Sequence, residues 1–223
     1  MRSDDTDTTA RQQLLRAAKQ REREQGRRGL RRRPPRPRRP EGIRAEYRAD
    51  LRKLVKRQQE EVDRLLKPEL ESLLVEAGTR GDTRADAWPD KVREIASRIR
   101  ANLGGDEQEL QDKLPEYGNR IAEHTDEDIQ RQIRAVVGAT PAFAARVGDQ
   151  IDSWIATNSS LIRTLNEEQI GEVERIVQRE VRRGSSVREI TRKINAKVNN
   201  GNYRAERIAR TESGQLYAQI SRE

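Results

Sequence analysis

The sequence predicts an all-α protein, an elongated multi-helix bundle with a disordered or extended basic N-terminal arm. Three observations lead there. Apolar residues recur at spacings of three and four along most of the chain, while no segment reads as a strand and no internal repeat is found. Only 32% of the 223 residues are hydrophobic and 38% are charged. That is little core material, since a compact globule usually draws on about 45–50% apolar residues. An elongated helical protein, or one that folds fully only against partners, suits this composition better than a compact enzyme. The charge is also segregated. Residues 1–40 hold 14 Lys and Arg against 5 Asp and Glu, and residues 41–223 hold 32 against 33. The whole excess behind the net charge of +8 lies in the arm.

Thr8 to about Gln25 reads as a short charged helix whose stripe of Leu14, Leu15, Ala17 and Ala18 is too thin to stand alone. From Arg27 to Pro40 the chain carries eight arginines (Arg27, Arg28, Arg31, Arg32, Arg33, Arg36, Arg38 and Arg39), four prolines and no acid. The prolines forbid a helix and favour a polyproline-like course, which repulsion among the arginines stretches further. Residues 1–42 are therefore an arm. A long helix starts at Ile43 and carries Tyr47, Leu51, Leu54, Val62 and Leu65 on one stripe, with Gln58 as its polar gap. Pro68 either kinks it or opens a second segment bearing Leu70, Leu73 and Leu74, which Gly78 and Gly81 end.

Trp88, Val92, Ile95 and Ile99 form a third stripe, closed by Gly104-Gly105. Leu110, Leu114, Tyr117 and Ile121 form a fourth, with Pro115 as its candidate break, and Asp126–Val137 follows behind Thr125 as N-cap. Together these make residues 43–139 an elongated or coiled-coil-like region. Thr140-Pro141 opens a helix reaching Leu165. Asn166-Glu167-Glu168-Gln169 resembles a capping box whose helix stops at Gly184, and Ser186-Val187-Arg188-Glu189 is a second. Asn199-Asn200-Gly201-Asn202 reads as a turn before a terminal helix, Tyr203 to Ile220. Residues 140–223 thus form a second helical bundle.

Each guanidinium of the arm can donate a forked pair of hydrogen bonds to phosphate and keeps its charge near neutral pH. The arm has no aromatic interleaving and no recognition helix, so its binding to nucleic acid would be sequence-neutral. An acidic protein surface or a merely solubilising tail would also suit such a run. Catalytic constellations are nearly absent. The chain has no cysteine, which excludes disulfides, thiolate metal sites and Cys nucleophiles, and His124 is its single histidine. Carboxylate pairs such as Glu60-Glu61 and Glu167-Glu168 lie in ordinary amphipathic patterns, and no Walker or dinucleotide loop occurs. No catalytic residue, metal ligand or cofactor is expected. Met1 to Thr6 is followed by no apolar stretch, so no secretory signal is expected there. No run approaches the roughly 20 apolar residues of a spanning helix, so no membrane partner is expected.

The segment Tyr203-Arg204-Ala205-Glu206-Arg207-Ile208-Ala209-Arg210-Thr211-Glu212 resembles the signature of the phage Mu F-like head morphogenesis (minor capsid) family. Arg204, Ala205, Ile208, Ala209, Arg210, Thr211 and Glu212 match it position by position. Asn158, Leu161-Ile162, Gly184-Ser185-Ser186 and Ile190 are similar to the family's approach to it, so the likeness covers roughly residues 150–220. It implies a minor head protein of a tailed phage or phage-like particle that docks on portal protein, major capsid protein or both. Several copies would sit in the head interior or at the portal vertex of the virion, after assembly in the host cytoplasm. The arm would lie on packaged double-stranded DNA and serve its packaging or ejection. The motif residues would be structural or docking residues, not catalytic ones: Ala205, Ile208 and Ala209 share a face suited to close packing, and Glu206 and Arg210 are spaced to pair. The family commonly continues into a segment with Trp, Asp-Arg and His elements. Here the sequence stops at Glu223, eleven residues past the motif, either as a short form or ahead of the natural end. Two other functions fit the residues: a free, sequence-neutral nucleic-acid-binding protein that self-associates through 43–66, and an enzyme domain attached to a head protein.

Overall fold

The computed structural model describes residues 34–78, 87–137 and 147–222, with Arg16 and Lys19 besides. Every regular element among the described residues is helical. They are α1 (Glu41–Leu65), a 3-10 turn (Lys67–Glu69), α2 (Leu70–Gly78), α3 (Trp88–Asp112), α4 (Leu114–Val137), α5 (Gly148–Arg183) and α6 (Val187–Ile220). The 36 residues of α5 make it about 54 Å long at the α-helical rise. The protein is an all-α multi-helix bundle. Of Thr8–Gln25 only Arg16 and Lys19 are described, both helical and exposed. Arg27, Arg28, Arg31, Arg32, Arg33, Gly81 and Thr140-Pro141 lie outside the described residues.

The apolar stripe of α1 is buried as its spacing requires, with Tyr47, Leu51, Leu54 and Val62 all in the core. Its partners come from the same chain. Arg52 reaches Glu206 and Gln59 reaches Asn195, so α1 runs antiparallel along α6. The polar gap at Gln58 is filled deliberately. Gln58 is fully buried, and its amide nitrogen donates to Asn166 Oδ1 (3.1 Å), whose own amide donates to Glu107 (3.0 Å). The Gln58 nitrogen is thus satisfied, while its side-chain oxygen is buried without a hydrogen-bond partner, a cost of about 1–3 kcal/mol. Pro68 sits in the 3-10 turn and separates α2 from α1. A single hydrophobic core joins α1 and α2 with α3 to α6.

Five sequence expectations are overturned. Gly104-Gly105 does not close α3, which runs on to Asp112 because buried Leu103 and Leu110 flank the pair and hold it against the core. Residues 114–137 are one helix, with Pro115 in its first turn, where the missing N–H is no loss. Thr125 does not cap: it is buried, and its hydroxyl donates one turn back to Ile121 O (2.7 Å). Asn166 lies inside α5 and starts nothing, its side chain being engaged in the layer with Gln58 and Glu107.

Last, Asn199-Asn200-Gly201-Asn202 is no turn, because α6 passes straight through it. Gly201 is buried there for a reason of contact, since a methyl group at its α-carbon would overlap the Gln169 side-chain amide of α5. Gln169 in turn donates to Val198 O (3.2 Å). Gly118 plays the same part between α4 and α5, where an added Cβ would stand 2.9 Å from Ile151 Cγ2.

The stops at the α5–α6 hairpin are as the sequence predicts. Gly184 takes φ +69°, the left-handed conformation that favours glycine. Ser185 N–H donates to Glu180 O and Gly184 N–H to Val181 O, each at 3.0 Å. Ser186 and Glu189 then exchange reciprocal bonds as a capping box. Glu180 ties this hairpin together. Its carboxylate accepts from Lys193 Nζ (2.5 Å), Arg179 Nε (2.9 Å) and Ser185 Oγ (2.8 Å). Led by the Lys193 ammonium, these donors pull the Glu180 carboxyl down to about 2.

Two outcomes are expected. Gly201→Ala should lower unfolding stability by roughly 1–3 kcal/mol through overpacking, while Gly104→Ala, whose Cβ meets nothing, should raise it by about 0.5–1 kcal/mol; chemical denaturation of both variants checks this. The Glu180 carboxyl lies below its ordinary 4.5 in the folded chain, so its contribution is complete above about pH 4.5 and fades as pH falls toward 2. Glu180→Gln should therefore be less stable than wild type at pH 7, and the gap should close across that interval in pH-resolved melting curves.

Candidate nucleic-acid interface

The end of the arm is fixed to the bundle by its backbone. Residues 34–40 form neither helix nor strand, and Pro40 is buried where α1 begins. Three groups on α4 hold the stretch: Arg131 donates to Arg36 O (2.8 Å), His124 Nε2–H donates to Arg38 O (3.0 Å), and Asp128 accepts from Arg38 N–H (3.1 Å). These positions stand three and four residues apart and so share one face of α4. Proline-rich backbone has no helical or sheet partners of its own, so a row of side chains has to satisfy it.

Asp128 is the centre of this anchor. It is 3% exposed and also accepts from Tyr217 Oη (2.9 Å), Gln132 Nε2 (2.8 Å) and the Arg131 guanidinium. Burial alone would raise its carboxyl, but the bonds from Arg131, the Arg38 N–H, Tyr217 and Gln132 outweigh it and hold the group below its ordinary value. Asp128 therefore ties three segments together: the arm, α4 and, through Tyr217, the C-terminal part of α6. No sequence pattern marked it, because its role depends on the arm folding back across about 90 residues of chain.

With the backbone occupied in this way, the guanidiniums of Arg36, Arg38 and Arg39 are left exposed. Arg39 lines an open cleft of about 270 Å³ together with Arg44 and Arg48 of α1 and Glu206, Ala209 and Arg210 of α6. Four cations thus surround one carboxylate. Glu206 does not pair with Arg210, as the spacing on α6 suggested. It turns to α1 instead, toward Arg52 (2.9 Å) and Arg48 (3.7 Å), because the helix seam offers two cations there. Arg44 pairs with Glu41 on its own helix. No ion pair engages Arg39 or Arg210 among the described residues.

The segment from Arg204 to Glu212 is mostly packing surface. Ala205, Ile208 and Ala209 are buried, Arg204 is half-buried in an ion pair with Glu168 of α5, and Arg210 and Thr211 face outward. Glu212 is buried, and its backbone carbonyl accepts from Trp154 Nε1 (3.0 Å). Burial pushes its carboxyl up. Beside it Tyr47 donates to Asn158 Oδ1 (2.7 Å), and Asn158 donates to Trp154 O (2.8 Å). Burial, then the nearby Glu212 and Tyr117, push the Tyr47 hydroxyl up, so it stays a donor. This cluster locks α1, α5 and α6 together. Among the described residues no group of acidic or histidine side chains is arranged to hold a metal ion. No helix there is long and apolar enough to cross a membrane.

Removing the Asp128 carboxylate should release the arm. Asp128→Ala should cost roughly 2–4 kcal/mol, since it strands the Arg38 N–H, Tyr217 and Arg131 together, and should speed tryptic cleavage at the Arg38–Arg39 bond by about tenfold or more. A time course of limited proteolysis on the native protein checks it.

No family model, curated protein or solved structure matches this chain.

Proposed function

We propose that the protein is a non-enzymatic minor head protein of a tailed phage or phage-like particle, whose helical body docks on portal or inner capsid and whose arginine arm lies on packaged DNA. The observation that carries the nucleic-acid half is the arm's anchor. Its backbone is spent on His124, Asp128 and Arg131, while Arg36, Arg38 and Arg39 are left outward for phosphate. A tail that only solubilised the chain would need no such seat. The docking half rests on the likeness of residues 150–220 to the head morphogenesis family, whose signature segment here packs α6 against its neighbours.

A freely self-associating DNA-binding protein is less well supported. The stripe it would use for association, Tyr47 to Val62, is buried against helices of the same chain. Coupled loss of portal binding and DNA retention is not expected, because the two functions use different segments.

The test is co-expression of the full chain with its portal and major capsid proteins, alongside a variant lacking residues 27–33. The shortened chain should enter heads at the normal level and retain less DNA. The slope of its logarithmic DNA affinity against logarithmic salt should shrink by about 4.5, near 0.9 for each of five lost arginines. Absence of the full chain from both portal and otherwise intact heads would remove the head-protein reading.

A further inference from the structure

We infer that the cleft formed by Arg39, Arg44, Arg48 and Arg210 is a second phosphodiester-binding site, one that belongs to the helical body as well as to the arm. This rests on the reading that the arm's polyanion is nucleic acid, and it assigns the body a direct share of that contact.

Three features of the cleft carry it. Its arginines come from three separate segments, the arm's end, α1 and α6, and line one opening. Its volume of about 270 Å³ equals about nine water molecules at roughly 30 Å³ each, room for a phosphate group and part of its hydration shell. Its charge is only partly compensated: Arg44 pairs with Glu41, and Arg48 pairs with Glu206, the one acid in the lining, which Arg52 outside the cleft also engages. Among the described residues no ion pair engages Arg39 or Arg210, and their summed field draws an incoming anion.

Position selects the ligand. The cleft opens where the anchored arm ends, so Arg39 belongs to both, directly after the exposed Arg36-Pro37-Arg38 stretch that leads into it. Evenly repeated phosphates suit such a track better than scattered carboxylates on a protein surface. Arm and cleft are covalently joined, so a polymer held by one reaches the other at high effective concentration.

The experiment uses the full-length protein and a duplex of about 20 base pairs, with affinity followed from roughly 50 to 200 mM salt. Arg44→Gln combined with Arg210→Gln should lower the salt slope by about two with the arm intact, and Arg210→Lys should preserve it. Glu206→Gln should tighten binding by roughly threefold at low salt, a gain that misfolding cannot imitate. A variant with glutamine at Arg27, Arg28, Arg31, Arg32 and Arg33 should retain the cleft's share of the slope. An unchanged slope in the double variant, or no gain from Glu206→Gln, overturns the cleft while leaving the arm reading intact. An unchanged slope in the arm variant overturns the arm reading instead. If the double variant loses affinity for polyglutamate but keeps its affinity for the duplex, the cleft is a protein contact and the inference falls.

Discussion

The arrangement at the arm depends on α6 running unbroken through Gly201. Asn199-Asn200-Gly201-Asn202 has the composition of a turn, yet the helix continues because the missing side chain lets Gln169 of α5 lie against the backbone and donate to Val198 O. Downstream of that point one rigid rod sets four contacts at once. It offers Glu206 to α1, Arg210 to the cleft, the Glu212 carbonyl to Trp154 and Tyr217 to Asp128. A bend at Gly201 would re-aim all four. The helix is therefore continuous because of a tertiary contact, against its local preference.

Scarce apolar material shapes the rest. With so few aromatic and aliphatic residues, the bundle closes its interior with polar side chains that hydrogen-bond to one another. Gln58, Asn166 and Glu107 form one such layer, Tyr47, Asn158 and Trp154 another, and Asp128 with its five donor groups a third. Buried polar groups with partners specify register in a way that interchangeable leucines do not, although the net stabilisation from each bond is modest. Long helices complement this, because each extra turn adds another narrow strip of core without needing a thick one.

What was legible in the sequence divides along the same line. The helical class, the α1 stripe, the Gly184 stop and the Ser186–Glu189 box follow from local periodicity and backbone chemistry, and each stands in the structure. The errors at Gly104-Gly105, Thr125, Asn166 and Gly201 share one cause. Each of these residues has a local signature of a break, and each is overruled by packing: by flanking core leucines at Gly104-Gly105, a carbonyl one turn back at Thr125, Gln58 of α1 at Asn166 and Gln169 of α5 at Gly201. Asp128 was missed for the converse reason. It sits in an ordinary charged helix, and only the return of the arm across α4 gives it meaning. The arginines of the arm were conspicuous, but Arg44, Arg48 and Arg210 looked like members of solvated helix faces.

That last point changes how the charge balance should be read. A body summing to nearly zero suggests a surface without electrostatic preference, with all the phosphate affinity delegated to the arm. Summed charge hides local segregation. Most body cations are answered by a carboxylate one turn away or across a helix seam, as with Arg57 and Glu60, Lys67 and Asp63, or Arg120 and Glu46. Around the arm's root that pattern thins, because Glu206 is drawn toward Arg48 and Arg52, and among the described residues no ion pair engages Arg39 or Arg210. Elsewhere short ion pairs on the surface contribute little and neutralise themselves locally. At the arm's root the helices leave part of a positive field uncancelled, beside residues 27–40, which are built wholly from prolines, arginines, one glycine and one leucine. Arm and body are therefore parts of one electrostatic surface, joined at Pro40, and Asp128 holds them in register.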